Sequence, residues 1–183
     1  MPIDAAEAAE AFRHADLLYD AAAVEAAVDR MAVALTRDVG DADPILMCVM
    51  NGGLNLTAML MPRLAFPLRL DYLHASRYRG RTFGTELQWR KYHELPLAGQ
   101  TVVVVDDILD EGYTLDAIVR HCREQSAQRV LTAVLVEKRR QREVALRPDY
   151  LGIEVPDRYV FGYGMDYKGY WRNAAGIYAA AEL

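Results

Sequence analysis

The chain is poor in cysteine and has no excess of positive charge, and each shortage excludes a class of protein. Its 183 residues include two cysteines, Cys48 in an apolar run and Cys122 in a helical stretch, too few for the disulfide framework of a small secreted protein. Lys and Arg number 21 against 26 Asp and Glu, and the net charge of −5 argues against a nucleic-acid-binding surface. A small anionic substrate is still compatible with this charge, because a local site can be positive or hold a metal on an acidic protein.

The chain also lacks long apolar runs. None approaches the roughly 20 residues that a membrane-spanning helix needs, and the first residues, MPIDAAE, lack the basic and apolar regions of a secretory signal. We therefore expect a cytoplasmic protein without membrane or nucleic-acid partners. Hydrophobic residues make up 52% of the chain and charged residues 26%, which indicates a folded core, and no repeat or linker divides the chain. A single domain is predicted over residues 1–183.

Short apolar runs alternate with helical patterns along the chain. Apolar residues spaced by four, three and four predict an amphipathic helix over residues 20–38, with Asp20 as its N-cap. This alternation predicts an α/β fold with a mainly parallel central sheet flanked by helices. The polar stretch 74–94 carries four Arg and no periodicity, which is typical of a functional loop. Strands are predicted at 45–50, 68–73, 101–105, 130–136, 151–155 and 159–163, and further helices at 54–64 and 114–125.

The most informative segment is residues 102–115, VVVVDDILDEGYTL. Four valines run into Asp106 and Asp107, which point to opposite sides of the strand if pairing continues through them. Adjacent carboxylates can accept hydrogen bonds from a ribose diol or hold a metal through its waters. A solvated strand end or a receiver domain would place acids in the same position, so the pair alone leaves the function open.

The residues after these acids favour a phosphate site. Gly112 permits a close backbone approach, and successive N–H groups at a helix start attract an anion. Thr114 adds a hydroxyl and can cap the helix. Because ligands of open α/β sheets collect at the carboxyl ends of the strands, the segment indicates a site for a phosphorylated sugar.

Strand, acids, loop and helix start together resemble the phosphoribosyl-pyrophosphate (PRPP) signature of the type I phosphoribosyltransferases. The resemblance implies that Asp106 and Asp107 hold the ribose hydroxyls and that Asp110 is the general base beside the attacking purine nitrogen. Glu111 departs from the family pattern, where many relatives carry Thr, and we expect its side chain to face away from the phosphate while its N–H still serves. The residues so assigned to PRPP are Asp106, Asp107, Asp110, Glu111, Gly112, Tyr113 and Thr114.

Residues 147–152 and 156–167 are similar to the hypoxanthine-guanine phosphoribosyltransferases. The similarity implies that Tyr159 stacks on the purine, that the main chain of Val160 reads its edge, and that Lys138 donates to the 6-oxo group. An ammonium group donates but cannot accept, so adenine, which has a 6-amino group, should be rejected.

The same resemblance assigns the pyrophosphate and metal contacts. Asn51 and Gly52 would bind pyrophosphate through main-chain amides, after a cis peptide between Met50 and Asn51. Arg172 would contact its oxygens, since a guanidinium suits a bidentate anionic partner. Asp166, together with Asp106 and Asp107, would ligate Mg²⁺ directly or through water.

Residues 74–94 match the family's flexible catalytic loop, with Arg77 and Tyr78 at the position of a Ser-Tyr pair in many relatives. A hood over the base would come from the N-terminal segment and residues of about 138–183. The family usually forms homodimers or homotetramers.

The implied activity is transfer of the 5-phosphoribosyl group from PRPP to hypoxanthine or guanine, giving IMP or GMP and pyrophosphate. One alternative is a regulator on the same fold that binds PRPP or a nucleotide as a signal. Another is a phosphoribosyltransferase for a different base, chiefly xanthine. The acidic balance and the presence of Lys138, Tyr159 and Asp166 favour the purine enzyme.

Overall fold

Strands and helices alternate along the chain, as the sequence predicts. The computed structural model describes residues 3–77 and 87–181. Their elements are α1 (Ala5–Arg13), β1 (Asp16–Asp20), α2 (Ala21–Val39), β2 (Ile45–Val49), α3 (Leu54–Leu60), a 3-10 turn (Met61–Arg63), β3 (Arg69–Arg77), β4 (Leu87–Lys91), β5 (Thr101–Leu109), α4 (Tyr113–Glu124), β6 (Arg129–Arg139), β7 (Tyr150–Pro156), β8 (Val160–Phe161) and β9 (Gly176–Ala179).

The main sheet has six strands in the order β4-β3-β2-β5-β6-β7. All neighbours are parallel except β4, which is antiparallel to β3. Side chains of β5 alternate between two cores, because successive residues of a strand face opposite sides. Val103 and Val105 pack with the apolar faces of α2 and α3, whereas Val102 and Val104 pack with α4. Both sheet faces are therefore covered, as parallel sheets require, and the predicted fold class is confirmed.

Helix α2 shows how closely the pattern matches the structure. Asp20 is its N-cap, and the Asp20 carboxylate accepts the N–H of Ala23 at 2.8 Å. Its buried residues follow the predicted spacing. None of the helices within the described residues is both long and apolar enough to span a bilayer.

A second, three-stranded sheet joins the two ends of the chain. Its order is β1-β9-β8, with β9 antiparallel to both neighbours. Helix α1 packs against it through Phe12, whose ring stacks on Trp171 at 4.5 Å. The indole N–H of Trp171 also donates to the carbonyl of Ala8 at 2.6 Å. The sequence did not predict α1, β1 or β9, and the two strands, of five and four residues, are too short to show a periodicity.

The structure corrects several predicted boundaries. The predicted loop 74–94 contains the end of β3 and all of β4, which pair from His74 opposite Lys91 onward. The central strand continues beyond residue 105 to Leu109. The helix predicted over 54–64 ends at Leu60 and continues as a 3-10 turn. The extended segment 159–163 is a strand only at Val160 and Phe161, because a turn follows at Gly162.

Candidate active site

The carboxyl end of β5 carries two buried acids. Pairing with β6 continues through Asp106, which lies opposite Val134. Asp106 and Asp107 are each 8% exposed, and the N–H of Asp107 donates to the Asp106 carboxylate at 3.0 Å. Burial, and then the charge of Asp107, raises the pKa of Asp106 well above its usual range. Burial also raises the pKa of Asp107, against the opposing charge of Arg172. Such a pair is stabilised by any hydroxyl donor or cation brought to it.

A cavity of about 840 Å³ opens at this end of the sheet. His74 and Arg90, which come from β3 and β4, also line it, and neither is among the predicted site residues. Lys138, Tyr159 and Val160 lie outside its lining. The predicted site residues that do line it are Asn51, Gly52, Asp106, Asp107, Asp110, Glu111, Gly112, Tyr113, Thr114, Asp166 and Arg172.

The loop after β5 turns into α4 at a left-handed glycine. Gly112, with φ of +89°, is the N-cap residue, and its carbonyl accepts the N–H of Asp116 at 2.9 Å. A residue with a Cβ would be strained there. The N-cap glycine has no side chain with which to cap this helix end, which borders the cavity, and a helix N-terminus attracts anions. Thr114 lies inside the first turn, so its predicted capping role is wrong. Glu111 is exposed, and the expectation that its side chain faces away from the phosphate stays a prediction.

The turn after β2 packs directly on the buried acids. The peptide bond between Met50 and Asn51 is cis, as predicted. A Cβ added to Gly52 would lie 2.0 Å from Oδ2 of Asp107, and one added to Gly164 would lie 2.1 Å from the carbonyl oxygen of Gly52. The turn after β2 can therefore approach Asp107 and the segment at Gly164 this closely only because positions 52 and 164 carry no side chain.

Arg172 and Asp166 are paired in this structure. Nη2 of Arg172 lies 2.6 Å from Oδ1 of Asp166, and Nη1 also donates to the carbonyl of Gly164. Nη1 lies 3.8 Å from Oδ2 of Asp107. The N–H of Gly169 donates to the second oxygen of Asp166 at 2.7 Å. The guanidinium thus stands between two acids of the cavity, where an anionic ligand would meet a positive charge.

Asp110 is held by two cations. Nζ of Lys138 donates to its Oδ2 at 2.8 Å, and Nη1 of Arg140 donates to its Oδ1 at 2.7 Å. Asp157 lies beyond them, 4.0 Å from Nζ of Lys138 and 3.6 Å from Nη1 of Arg140. Partial burial would raise the pKa of Asp110, but the hydrogen bonds and charges of Lys138 and Arg140 outweigh it and lower the pKa.

Arg142 links the end of β5 to the end of β6 by hydrogen bonds to both. Its Nε donates to the carbonyl of Asp110 at 2.6 Å, its Nη2 donates to the carbonyl of Lys138, and its Nη1 bonds Glu137 at 2.6 Å. Neither Arg140 nor Arg142 was predicted as a site residue. The signal for them in the sequence is the basic run KRRQR, residues 138–142, which begins in the last two residues of β6 and is typical of a solvated segment.

Of the three predicted base contacts, Lys138 lies in β6 of the main sheet, whereas Val160 begins β8 of the second sheet and Tyr159 directly precedes it. Tyr159 is 48% exposed, and its ring meets Tyr167 edge-on at 5.4 Å. Val160 is buried in β8 opposite Ala179. An exposed aromatic face beside a fixed main chain suits a flat heterocycle. Arg77 ends β3, but its side chain and Tyr78 lie outside the described residues, so their predicted roles stay predictions.

The carboxylates of this site could hold Mg²⁺ only together with oxygen atoms of a bound ligand. Within residues 3–77 and 87–181, no group of three or more His, Cys, Asp or Glu side chains could hold a metal. Asp106 and Asp107 supply hard oxygen donors whose pKa values are raised by burial, so a cation would relieve their desolvation. Mg²⁺ is commonly held by one or two carboxylates, with substrate phosphates and waters completing its octahedron. The two acids meet that requirement.

Comparison with known proteins agrees with this geometry. A model of the family described as "Phosphoribosyl transferase domain" matches residues 14–168. The human phosphoribosyltransferase domain-containing protein 1 is 30% identical over 80% of this chain and 69% of its own length. The hypoxanthine-guanine phosphoribosyltransferase of Bacillus subtilis is 29% identical over 82% of this chain and 84% of its own.

Solved structures share the whole architecture. A hypoxanthine-guanine phosphoribosyltransferase from Bacillus anthracis superposes with a TM-score of 0.85 at 26% identity, covering 91% of this chain and 98% of that one. A hypoxanthine-guanine-xanthine phosphoribosyltransferase gives 0.83 at 26% identity, covering 91% and 97%. Since the family match takes in both the acids that end β5 and the helix that opens onto the cavity, the chain belongs to the phosphoribosyl transferase domain family.

Proposed function

We propose that this protein transfers the 5-phosphoribosyl group of PRPP to hypoxanthine or guanine, releasing pyrophosphate and forming IMP or GMP. The observation that carries the proposal is that one cavity is lined both by the residues proposed to bind the sugar phosphate and by Asp110, the acid proposed to face the base. Asp106 and Asp107 line the cavity, and the N-terminus of α4 borders it. Asp110 also lines it and accepts a hydrogen bond from Lys138. Relatives with 29% and 26% identity are named hypoxanthine-guanine phosphoribosyltransferases.

On the sugar side, the chain's task is to bind and orient PRPP. The N-terminus of α4 attracts the 5′-phosphate, because its first N–H groups and helix dipole favour an anion. Asp106 and Asp107 accept hydrogen bonds from the ribose hydroxyls, which compensates part of their desolvation. Arg172 and the Asn51–Gly52 turn face the pyrophosphate end. Asp106, Asp107 and Asp166 are the residues that would hold Mg²⁺, and the ion would supply neutralisation of the pyrophosphate charge.

On the base side, the chain orients the purine and removes a proton. Lys138 donates to the 6-oxo group, and Tyr159 offers a ring face for stacking. Asp110 takes the proton of N7 as N9 attacks the anomeric carbon, where positive charge develops as pyrophosphate departs. No covalent nucleophile is needed, so positioning and charge neutralisation carry the catalysis.

The test is nucleotide formation from PRPP and Mg²⁺ with four bases: hypoxanthine, guanine, xanthine and adenine. IMP and GMP should form, and adenine should react at least about 10³-fold more slowly, because it leaves the Lys138 donor unpaired. Selective use of xanthine would move the substrate assignment to that base. Binding of PRPP without turnover of any base would contradict the enzyme and favour a regulator.

Two further expectations come with the proposal. We expect a homodimer or homotetramer, as in the resembling family, which light scattering coupled to size-exclusion chromatography would measure. We also expect the protein to act in the cytoplasm, where its substrates are made. Fractionation of cells that express a tagged chain would check the location.

A further inference from the structure

Arg140 is the second cation on the acid proposed as general base. Its Nη1 lies 2.7 Å from Oδ1 of Asp110, while Nζ of Lys138 lies 2.8 Å from Oδ2. The two oxygens are thus divided between two partners. Arg140 immediately follows the last residue of β6, and its side chain is about one-third exposed, so the contact is made at the rim of the site.

Lys138 has two tasks in the proposed reaction, at Asp110 and at the purine. The ammonium donor that is directed at Oδ2 of Asp110 competes with the N7 proton for that oxygen. When Lys138 turns to the 6-oxo group, Oδ2 becomes available to the purine. Arg140 then remains as the cation bound to the carboxylate, through the other oxygen.

We propose that Arg140 is a positioning residue for the reaction: it holds Oδ1 of Asp110 so that Oδ2 stays directed at the purine after Lys138 has moved to the base. The inference rests on the proposed function. A guanidinium suits this task because it is always charged and its donors have a fixed planar geometry. Arg142 cannot replace it, since it bonds the main-chain carbonyl of Asp110 and not the carboxylate.

The charged groups around Asp110 define what removal of Arg140 should do. At its carboxylate they are Lys138 and Arg140 from the end of β6, and beyond them Asp157, which follows β7 and lies 3.6 Å from Nη1 of Arg140. Arg142 donates to the main-chain carbonyl of Asp110 and is itself paired with Glu137. Both cations lower the pKa of Asp110. With Arg140 gone and Lys138 engaged on the base, the carboxylate faces a partly buried site with no bound cation. Its pKa should rise, and its orientation should be less defined.

The experiment compares three variants in single-turnover formation of IMP, across the pH range in which the wild type is stable. Arg140→Gln removes the charge and leaves a single amide donor group on a shorter side chain, whereas Arg140→Lys keeps the charge. Arg139→Gln, one residue earlier and exposed, makes the same change of net charge away from Asp110. A carboxyl ¹³C NMR titration of Asp110 in each protein measures its pKa directly. The KM for PRPP serves as a check on the sugar side.

Arg140→Gln should lower the single-turnover rate about tenfold and move its acid limb to higher pH, because the base is both misplaced and more easily protonated. The NMR titration should show a raised Asp110 pKa. Arg140→Lys should restore the acid limb, Arg139→Gln should match the wild type, and the KM for PRPP should stay within about twofold in all three.

An unchanged acid limb and Asp110 pKa in Arg140→Gln would overturn the inference, as would an equal shift in Arg139→Gln. Both outcomes leave the proposed function standing, since the wild type still makes IMP. A wild type that converts none of the 6-oxopurines would overturn the proposed function and the role of Arg140 with it.

Discussion

Three aspartates lie within five residues at the carboxyl end of β5, and their surroundings shift their pKa values in opposite directions. Asp106 and Asp107 are buried beside each other, and burial raises the pKa of both. Asp110 is partly exposed, and two cations lower its pKa. The chemistry of the side chain is identical in all three, so the environment alone divides their tasks. The buried pair is prepared to receive hydroxyls or a cation, and the outer acid is already ionised to receive a proton.

The largest expected effect comes from Asp110→Asn, which removes the outer member of this comparison. Turnover with hypoxanthine should fall by about 10²–10⁴, because an amide cannot take the N7 proton. Binding of IMP, measured by calorimetry, should persist because the contacts of the phosphate loop and of Tyr159 are untouched. A variant with near wild-type turnover would show that Asp110 is not the base.

Gly52→Ala should disturb the buried pair, Asp106 and Asp107, through its contact with Asp107. Its methyl group would lie 2.0 Å from Oδ2 of Asp107, so the carboxylate must rotate away from its present position. A displaced contact of this size should lower kcat/KM for PRPP by roughly 10²-fold. Gly99→Ala is the control: its φ of +74° is unfavourable for alanine, which is not the case at Gly52, but its Cβ would meet nothing within 4 Å. Equal losses in the two variants would attribute the effect to general destabilisation and not to the contact with Asp107.

Asp106→Asn should stabilise the ligand-free protein at pH 7. The folded-state pKa of Asp106 is raised, so folding loses stability as pH rises from the ordinary carboxyl pKa through the raised one. Asparagine removes that loss and still accepts the N–H of Asp107. Urea unfolding from pH 4 to pH 7 should show the gain grow with pH and vanish at the acid end.

The matched change at the neighbouring acid sharpens this prediction. Asp107→Asn should gain less, because Arg172 lies 3.8 Å from its carboxylate and already compensates part of the charge. A larger gain for Asp107 than for Asp106 would contradict the assigned electrostatics.

The sequence predicts the main sheet and the sugar side of the site well, for local reasons. The valines before Asp106 form a buried central strand, and the helical spacing after Asp20 produces α2. Acids, glycine and helix start lie within nine residues, so their assembly in space follows from their order in the chain. All of them line one cavity.

The rest depends on contacts between distant segments. Asp16 pairs with Ala179, and no periodicity can reveal a partner at that separation. The contact of Arg140 with Asp110 exists because β6 runs beside β5 as far as Leu109 opposite Glu137, which brings the next residues of both strands together. In sequence, Arg140 is one of several basic residues in a polar run.

The position of β9 also sets an order of events during synthesis. Both β1 and β8 pair with β9 in the small sheet, and β9 is the last strand among the described residues. A growing chain can complete the six-stranded sheet once β7 has emerged from the ribosome. The sheet that holds Val160 must wait for Gly176–Ala179, so the loop between β5 and α4 can form before Val160 is fixed in its sheet.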